Sequence, residues 1–299
     1  MNRRTFLTTT TLGLATPFSA FAAPPKPKPP ADPAIAFRRT VQDTRTELKV
    51  SNADGSNLAK IYTHTGAGLV LSWSPDGSQI AFTGSQPPAP GFALWRIDVS
   101  VVNGVPVGSN TVKLLEGDYL NYPAWSPLGD AIAFLSGGGK IESISPAGGP
   151  TAVIYDASAG RGVSSPTWSP DAARLAFIQG DQVLVLNLAT GEVTPVLSLG
   201  PPLDLVTVNW ARTSDRLAIQ AEETVGAGYR RNIYLLDLVS GDFVEVVSDS
   251  GFYSPVPWSP DDSKLAFRGR QGKLTTLDLN TGALKEYSFV VEWPDWRRF

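Results

Sequence analysis

The sequence predicts an all-β fold, a six-bladed β-propeller of four-stranded antiparallel blades. Two observations support this prediction. A stretch that runs from Trp73 to Phe82, WSPDGSQIAF, recurs along the chain in recognisable copies. Incomplete copies stand near both ends, and together they would make one further unit. A β-sandwich and a β-solenoid are the alternatives, but a regular period with split terminal copies favours the propeller.

The repeated stretch has the chemistry of a β-hairpin. Pro75 presets φ at about −65°, Asp76 can bond to its own backbone, and Gly77 accepts positive φ. Ile80 and Phe82 then alternate with a small alanine, which is the period of a strand. We therefore expect a strand that ends near the tryptophan, a tight turn, and a second strand.

Five complete copies and two half-copies are present. In each complete copy a tryptophan stands seven residues before an isoleucine or leucine. The first half-copy, Ile35 to Phe37, has no tryptophan before it, and the second, residues 290–295, contains Trp293. We predict that the two half-copies pair and close the ring. The tryptophans assigned to the repeat are Trp73, Trp125, Trp168, Trp210, Trp258 and Trp293.

Each unit continues with a third strand that runs into a glycine turn and a fourth, more polar strand. The hairpin turns hold Asp76, Asp171 and Asp261, which we assign to turn stabilisation rather than to catalysis. The copy that begins at Trp210 has Arg212 where the others have proline, so its hairpin is expected to differ.

Three segments divide the chain. Residues 1–22 have the pattern of an export signal, because Arg3-Arg4 precede a weakly apolar run and a small-x-small cleavage pattern at residues 20–22. The arginine pair resembles a twin-arginine signal, and a general secretory signal is the alternative. Residues 23–33 are a proline-rich spacer, and residues 34–299 form the propeller. These features predict a periplasmic or secreted protein. We expect a monomer, although the sequence leaves the oligomeric state open.

Composition excludes several functions. The net charge of −3 at pH 7 argues against a nucleic-acid-binding protein. The 299 residues contain no cysteine, so this sequence offers no disulfide, thiolate metal site or lipid attachment. The apolar run of the signal is too short and too polar for a stable membrane span.

The loops of a propeller of this kind lie on two faces. The hairpin turns and glycine turns share one face, and the loops between second and third strands and between blades share the other. We call the second the irregular face, and it is rich in arginine and tyrosine, which are enriched at interface hot spots. A solvated surface is the alternative interpretation. The predicted binding residues are Arg38, Arg39, His64, Tyr119, Tyr122, Arg161, Tyr229, Arg230, Arg231, Tyr253, Arg268 and Arg270.

No catalytic residue is predicted. His64 is the single histidine, and no nucleophile elbow, phosphate loop or metal-binding helix motif accompanies it. We expect no cofactor, although the sequence leaves open an ion in the central channel. Paired carboxylates around that channel would suit a hydrolase or a lyase, and this is the alternative function.

The pattern W-S-P-D-G-x-x-[IL]-A-F resembles the TolB-like β-propeller repeat family. Residues 73–82 match it fully, those at 168–177 and 258–267 lack only the glycine, and Leu128 replaces the aspartate in the copy at 125–134. The resemblance covers residues 34–299. It implies a non-catalytic binding or scaffold module for a protein, peptide or glycan of the cell envelope. We expect only the signal and the spacer before the blades, instead of the α/β domain that precedes the TolB propeller.

Overall fold

The computed structural model describes residues 35–42, 45–66, 68–85, 91–157, 162–226 and 228–297. The predicted signal at 1–22 and the spacer at 23–33 lie outside these residues. Within the described residues the strands form six antiparallel sheets, and each sheet is one blade. In the same part of the chain, no helix has the length and hydropathy needed to cross a bilayer.

The first three blades contain the strands of residues 35–156 and the last described strand. Blade 1 contains β1 (Ile35–Gln42), β2 (Arg45–Ser51), β3 (Ala59–Thr65) and β23 (Glu292–Trp296). Blade 2 contains β4 (Val70–Trp73), β5 (Gln79–Ser85), β6 (Phe92–Val102) and β7 (Val105–Gly117). Blade 3 contains β8 (Leu120–Trp125), β9 (Ile132–Ser136), β10 (Lys140–Ile144) and β11 (Ala152–Asp156).

The last three blades follow in sequence. Blade 4 contains β12 (Val163–Trp168), β13 (Arg174–Gln179), β14 (Gln182–Asn187) and β15 (Val193–Ser198). Blade 5 contains β16 (Leu203–Trp210), β17 (Arg216–Val225), β18 (Gly228–Asp237) and β19 (Phe243–Val247). Blade 6 contains β20 (Lys264–Arg268), β21 (Lys273–Asp278) and β22 (Leu284–Val290). The predicted six-bladed antiparallel propeller is confirmed.

Blade 6 departs from the regular pattern at its innermost segment. There the chain joins β20 through a single bridge, between Trp258 and Leu265. Pro255 and Pro257 lie just before Trp258, and proline has no N–H group to donate to a neighbouring strand. The fourth strand of this blade is therefore reduced to one bridge.

The ring closes within blade 1, where β23 pairs with β1. Ile35 stands opposite Trp296, in the same relation as Ile80 to Trp73 in blade 2. The predicted closure is thus confirmed, but the assignment of Trp293 to the repeat is corrected. Trp296 takes that position and is 4% exposed, whereas Trp293 lies three residues earlier.

Between blades, the repeat tryptophans fill the core. Trp210 packs with Leu217 of its own blade and with Ile178 and Val185 of blade 4. The guanidinium of Arg174, also of blade 4, lies 5.0 Å from the ring centroid of Trp210. Each repeat tryptophan packs in this way with its own blade and the blade before it, so that six buried clusters join neighbouring sheets.

Hydrogen bonds also link the innermost strands of neighbouring blades. At three junctions between blades, the side chain just before one tryptophan accepts from the backbone N–H of the next tryptophan. Ser72 Oγ lies 3.1 Å from Trp125 N, and Asp295 Oδ2 lies 2.8 Å from Trp73 N. The second of these bonds connects β23, the closing strand in blade 1, to β4 in blade 2.

The hairpin turns are held by their aspartates. In blade 4, Asp171 Oδ1 accepts from Ser169 Oγ at 2.5 Å and from Ala173 N at 3.0 Å, and these bonds lower the pKa of Asp171. The turn of blade 5 lacks such an aspartate. There Asp262 of blade 6 accepts from Arg212 N at 2.7 Å and Thr213 N at 2.9 Å instead.

Candidate binding site at the mouth of the channel

Three aromatic side chains meet at the irregular-face end of the channel. They come from three blades: Tyr122 from β8, Tyr253 from the loop before Trp258, and Trp293 from β23. The ring centroids of Tyr122 and Tyr253 lie 5.5 Å and 5.3 Å from that of Trp293. The two tyrosine hydroxyls lie 2.5 Å apart. Because blades 3 and 6 are opposite each other, this aromatic plate spans the channel.

Two members of the aromatic plate are directed there by irregular backbone. Tyr122 and Trp293 both lie three residues before the tryptophan of their blade, with φ of 49° and 53°. The pairing of β8 with β9, and of β23 with β1, shifts register next to them. Such a bulge re-aims a side chain, and here it turns the aromatic rings across the channel.

Burial keeps both tyrosines of the plate neutral. It raises the pKa of Tyr122 and, further, the pKa of Tyr253, because the phenolate would lose its hydration. Each neutral hydroxyl can donate one hydrogen bond and accept others. The plate therefore has an apolar body and a hydroxyl pair that can bond to polar groups.

Two arginines flank the aromatic plate. Arg38 Nε lies 2.9 Å from Glu292 Oε2, and its guanidinium is 5.5 Å from the ring centroid of Trp293. Burial lowers the pKa of Arg38, and the nearby charge of Arg268 acts in the same direction. Arg268 itself lies with its guanidinium 4.3 Å from the ring centroid of Phe252. Positive charge thus borders one side of the plate.

The channel behind the aromatic plate is narrow, and an ion pair lies at its far end. Its cavity is about 70 Å³ and is lined by the innermost segments of all six blades. On the hairpin-turn face, Arg212 Nη2 reaches across to Asp295 Oδ1 at 3.1 Å and to Trp296 O at 3.2 Å. Asp295 is the one carboxylate among the lining residues that the structure describes.

Several predicted binding residues lie on the irregular face but apart from the aromatic plate. Arg230 and Arg231, on β18, form ion pairs with Glu223 and Glu222 of β17. Arg270 forms an ion pair with Asp249. Three more predicted residues are exposed, namely Arg39, Tyr119 and Tyr229. Arg161 lies outside the described residues.

His64 is placed differently from the other predicted binding residues. It is 4% exposed, and its Nε2 lies 2.8 Å from the carbonyl oxygen of Ser85 in blade 2. Its ring centroid is 5.1 Å from that of Trp95. In this arrangement His64 is buried and joins blades 1 and 2.

In the described residues, no group of three or more histidine, cysteine or acidic side chains is placed to hold a metal ion. Sequence reasoning missed Glu292 and the place of Trp293 in the aromatic plate. An alignment on the shared pattern x-Pro-x-Trp would have found Trp293. That pattern places Trp293-Pro294-Asp295-Trp296 level with Tyr122 to Trp125.

With this geometry established, comparison with known proteins supplies the family. Residues 49–225, more than half of the chain, match the model of the lipoprotein LpqB beta-propeller domain. The chain belongs to this family.

A relative of this LpqB-family propeller is a TolB homolog from Chlorobium luteolum. It is 26% identical over 146 residues, which make up 46% of this chain and 31% of the relative. The chain therefore spans about a third of the length of that protein.

Solved structures share the fold of this LpqB-family propeller. TolB from Acinetobacter baumannii has a TM-score of 0.73 at 16% identity, over 88% of this chain and 66% of that one. Oligogalacturonate lyase in complex with manganese has a TM-score of 0.52 at 16% identity, over 86% and 74% of the two chains. At these identities the likeness concerns the fold alone. The predicted TolB-like propeller is confirmed.

Proposed function

We propose that this propeller is an exported binding or scaffold module. Its irregular face presents the aromatic plate and the surrounding loops to a protein, peptide or glycan of the cell envelope. Membership of the LpqB propeller family and similarity to a TolB homolog support a binding role. The pattern of residues 1–22 supports a periplasmic or secreted location.

The observation that carries this proposal is the small volume of the channel. Its cavity of about 70 Å³ is far below the roughly 300–1,000 Å³ of pockets that enclose small ligands. The plate lies at one end, and the ion pair of Arg212 with Asp295 lies at the other. Recognition at the plate therefore takes place on an outer surface, which suits a large partner.

A capture experiment tests this proposal. We would immobilise residues 23–299 through the spacer and incubate them with solubilised envelope extract and, separately, with purified peptidoglycan. One variant carries Tyr119→Ala and Phe252→Ala, which remove side chains that are 41% and 42% exposed on the irregular face. Its matched control carries Leu128→Ala and Val239→Ala, at turns of the opposite face that are 70% and 84% exposed.

We expect a bound component that the irregular-face variant loses and the control retains, since only the first variant alters the proposed surface. Equal capture by both variants would place recognition elsewhere. Absence of capture by the unmodified chain, or turnover of an oligogalacturonate by it, would contradict a non-catalytic envelope module.

A further inference from the structure

In every blade, the second strand contains a three-residue motif: isoleucine or leucine, then alanine, then phenylalanine or isoleucine. The residue that follows this motif lies at the irregular-face end of that strand. In blades 2 to 5 this place is buried and uncharged. The occupants are Thr83, Leu135, Ile178 and Gln220, each at most 4% exposed. In the neighbouring blades 6 and 1 the occupants are Arg268 and Arg38. Two positive charges thus stand side by side where the repeat otherwise places neutral groups.

The two arginines differ in their partners. Arg38 has the carboxylate of Glu292 at 2.9 Å and also donates to the carbonyl oxygen of Leu69 at 3.0 Å. Arg268 has no ion pair within the described part of the chain, and its buried Nε lacks a hydrogen-bond partner there. A buried N–H donor without an acceptor lowers stability, because the group has lost its hydration and forms no hydrogen bond in exchange.

The surroundings of Arg268 are built to hold it. Its backbone N–H donates to Ser254 Oγ at 3.2 Å, which ties β20 to the loop that contains Phe252 and Tyr253. Its guanidinium lies over the ring of Phe252, which is 42% exposed. The side chain is therefore fixed beside the aromatic plate, at a place that a ligand on the irregular face can reach.

We propose that Arg268, fixed by Phe252 and next to Arg38, binds a single carboxylate of a ligand that docks on the aromatic plate. The planar guanidinium can donate two parallel hydrogen bonds to a carboxylate. The carboxylate is the end of a peptide or belongs to a small organic acid. This inference rests on the proposed function in that it uses the same face, and it adds the chemistry that the face recognises.

Local charge favours a carboxylate over a phosphate. Arg38, Arg268 and Glu292 together carry a net charge of +1. That charge neutralises one monoanion, whereas a phosphate dianion would meet the carboxylate of Glu292 with an excess of negative charge. Inorganic phosphate is therefore the anion to compare with acetate in the test.

The test follows the backbone amide resonance of Phe252 in the ¹⁵N-labelled chain at constant ionic strength. Acetate is titrated against chloride, and phosphate is titrated in the same way. We expect a saturable shift with acetate and a Kd of about 1–10 mM. Arg268→Gln should weaken acetate binding by about tenfold or more, because glutamine lacks the charge and the paired donors. Lys60→Gln removes an equal charge from a side chain that is 53% exposed at the opposite face, and it should change the Kd by less than about twofold.

A second arm distinguishes the sources of the carboxylate. The probe is the acetylated tetrapeptide Gly-Ser-Gly-Ala with a free carboxyl end, compared with its amide. If the tetrapeptide acid binds about tenfold more tightly than acetate, the ligand is the carboxyl end of a peptide chain. If the two bind with equal affinity, the ligand is a small organic acid. Non-saturable shifts, tighter binding of phosphate, an amide equal to the acid, or unchanged binding in Arg268→Gln would each overturn the proposal.

Stability without ligand separates a binding arginine from a structural one. Gln220 and Leu135 occupy the equivalent place in other blades, so Arg268→Gln and Arg268→Leu introduce residues that the fold already accepts there. We expect urea midpoints equal to or above that of the unmodified chain, and a clear fall would overturn the proposal. If acetate fails to bind while envelope capture still depends on the irregular face, the carboxylate site is refuted and the binding module stands.

Discussion

Trp125 shows how much one repeat residue contributes to the core. It is 2% exposed and packs with Leu94 of blade 2 and with Leu120 and Phe134 of blade 3. Trp125→Ala would leave a large cavity between these blades. We expect it to lower the free energy of unfolding by roughly 3–5 kcal/mol, measured by urea denaturation.

The control for this change is Leu128→Ala in the same hairpin. Leu128 is 70% exposed, so its truncation should alter the free energy of unfolding by less than about 0.5 kcal/mol. Similar losses from both substitutions would show that Trp125 does not act through burial.

His64 links stability to pH. Burial lowers its pKa, and the unfolded chain therefore binds a proton more readily than the native state. Neutral His64 contributes fully to the free energy of unfolding above pH 6.5, which is about the pKa of histidine in the unfolded chain. This contribution is lost as the pH falls from there through the lowered pKa of the native state. We expect urea midpoints to decrease over this window.

The control for this pH dependence is His64→Gln, which has no titrating group and can still donate to the carbonyl oxygen of Ser85. Its urea midpoint should change less than that of the unmodified chain between pH 7 and the lowered pKa. An equally steep pH dependence in the variant would assign the effect to other groups.

At the scale of the hairpin, the turn of blade 3 lacks the aspartate that the turns of blades 2 and 4 have. Leu128 stands where Asp76 and Asp171 accept hydrogen bonds from a turn serine. Ser126 is present in blade 3 and is 1% exposed, so the donor for such a bond is already in place. Leu128→Asp should raise the free energy of unfolding by about 0.5–1 kcal/mol in urea denaturation.

Leu128→Ala is again the appropriate comparison, because it removes the exposed apolar surface without adding an acceptor. If Leu128→Asp stabilises no more than Leu128→Ala, the gain does not come from the hydrogen bond. A destabilised Leu128→Asp would mean that the turn of blade 3 has a different geometry.

The strands could be predicted because the repeat encodes them locally. The tryptophan-to-isoleucine spacing predicts the register of each first hairpin, and Trp73 opposite Ile80 confirms it. The sequence pattern assigns Trp293 to the position of the repeat tryptophan, three residues too early, because Trp293-Pro294-Asp295 is similar to the W-S-P-D motif. In the structure Pro294 lies within the strand, two residues before Trp296.

At the scale of the whole molecule, the aromatic plate follows from ring geometry. Tyr122 and Tyr253 are 131 residues apart, yet their hydroxyls are in contact across the channel. Local patterns predicted that both lie on the irregular face, but not that they meet. The contact depends on the diameter of the ring and on the bulge at Tyr122, and neither is encoded in a single blade.

Closure of the ring should decide whether the molecule unfolds as a unit. Deletion of residues 290–299 removes β23 and leaves β1 without its partner. It also removes Asp295, which bonds to Trp73 and to Arg212. We expect the shortened chain to lose the single cooperative transition in calorimetry. A cooperative melt near the temperature of the full chain would refute this role of closure.

Because Ile35 pairs with Trp296, the first blade can be completed only after the last strand has been synthesised. When the first strands emerge from the ribosome, their partner lies some 250 residues later in the sequence, and translation needs roughly 10 to 50 seconds to reach it. During that time β1 has an unpaired edge, which can join with strands of other chains. The nascent chain therefore depends on rapid translation, or on a chaperone that covers this strand edge, until its last strand has been synthesised.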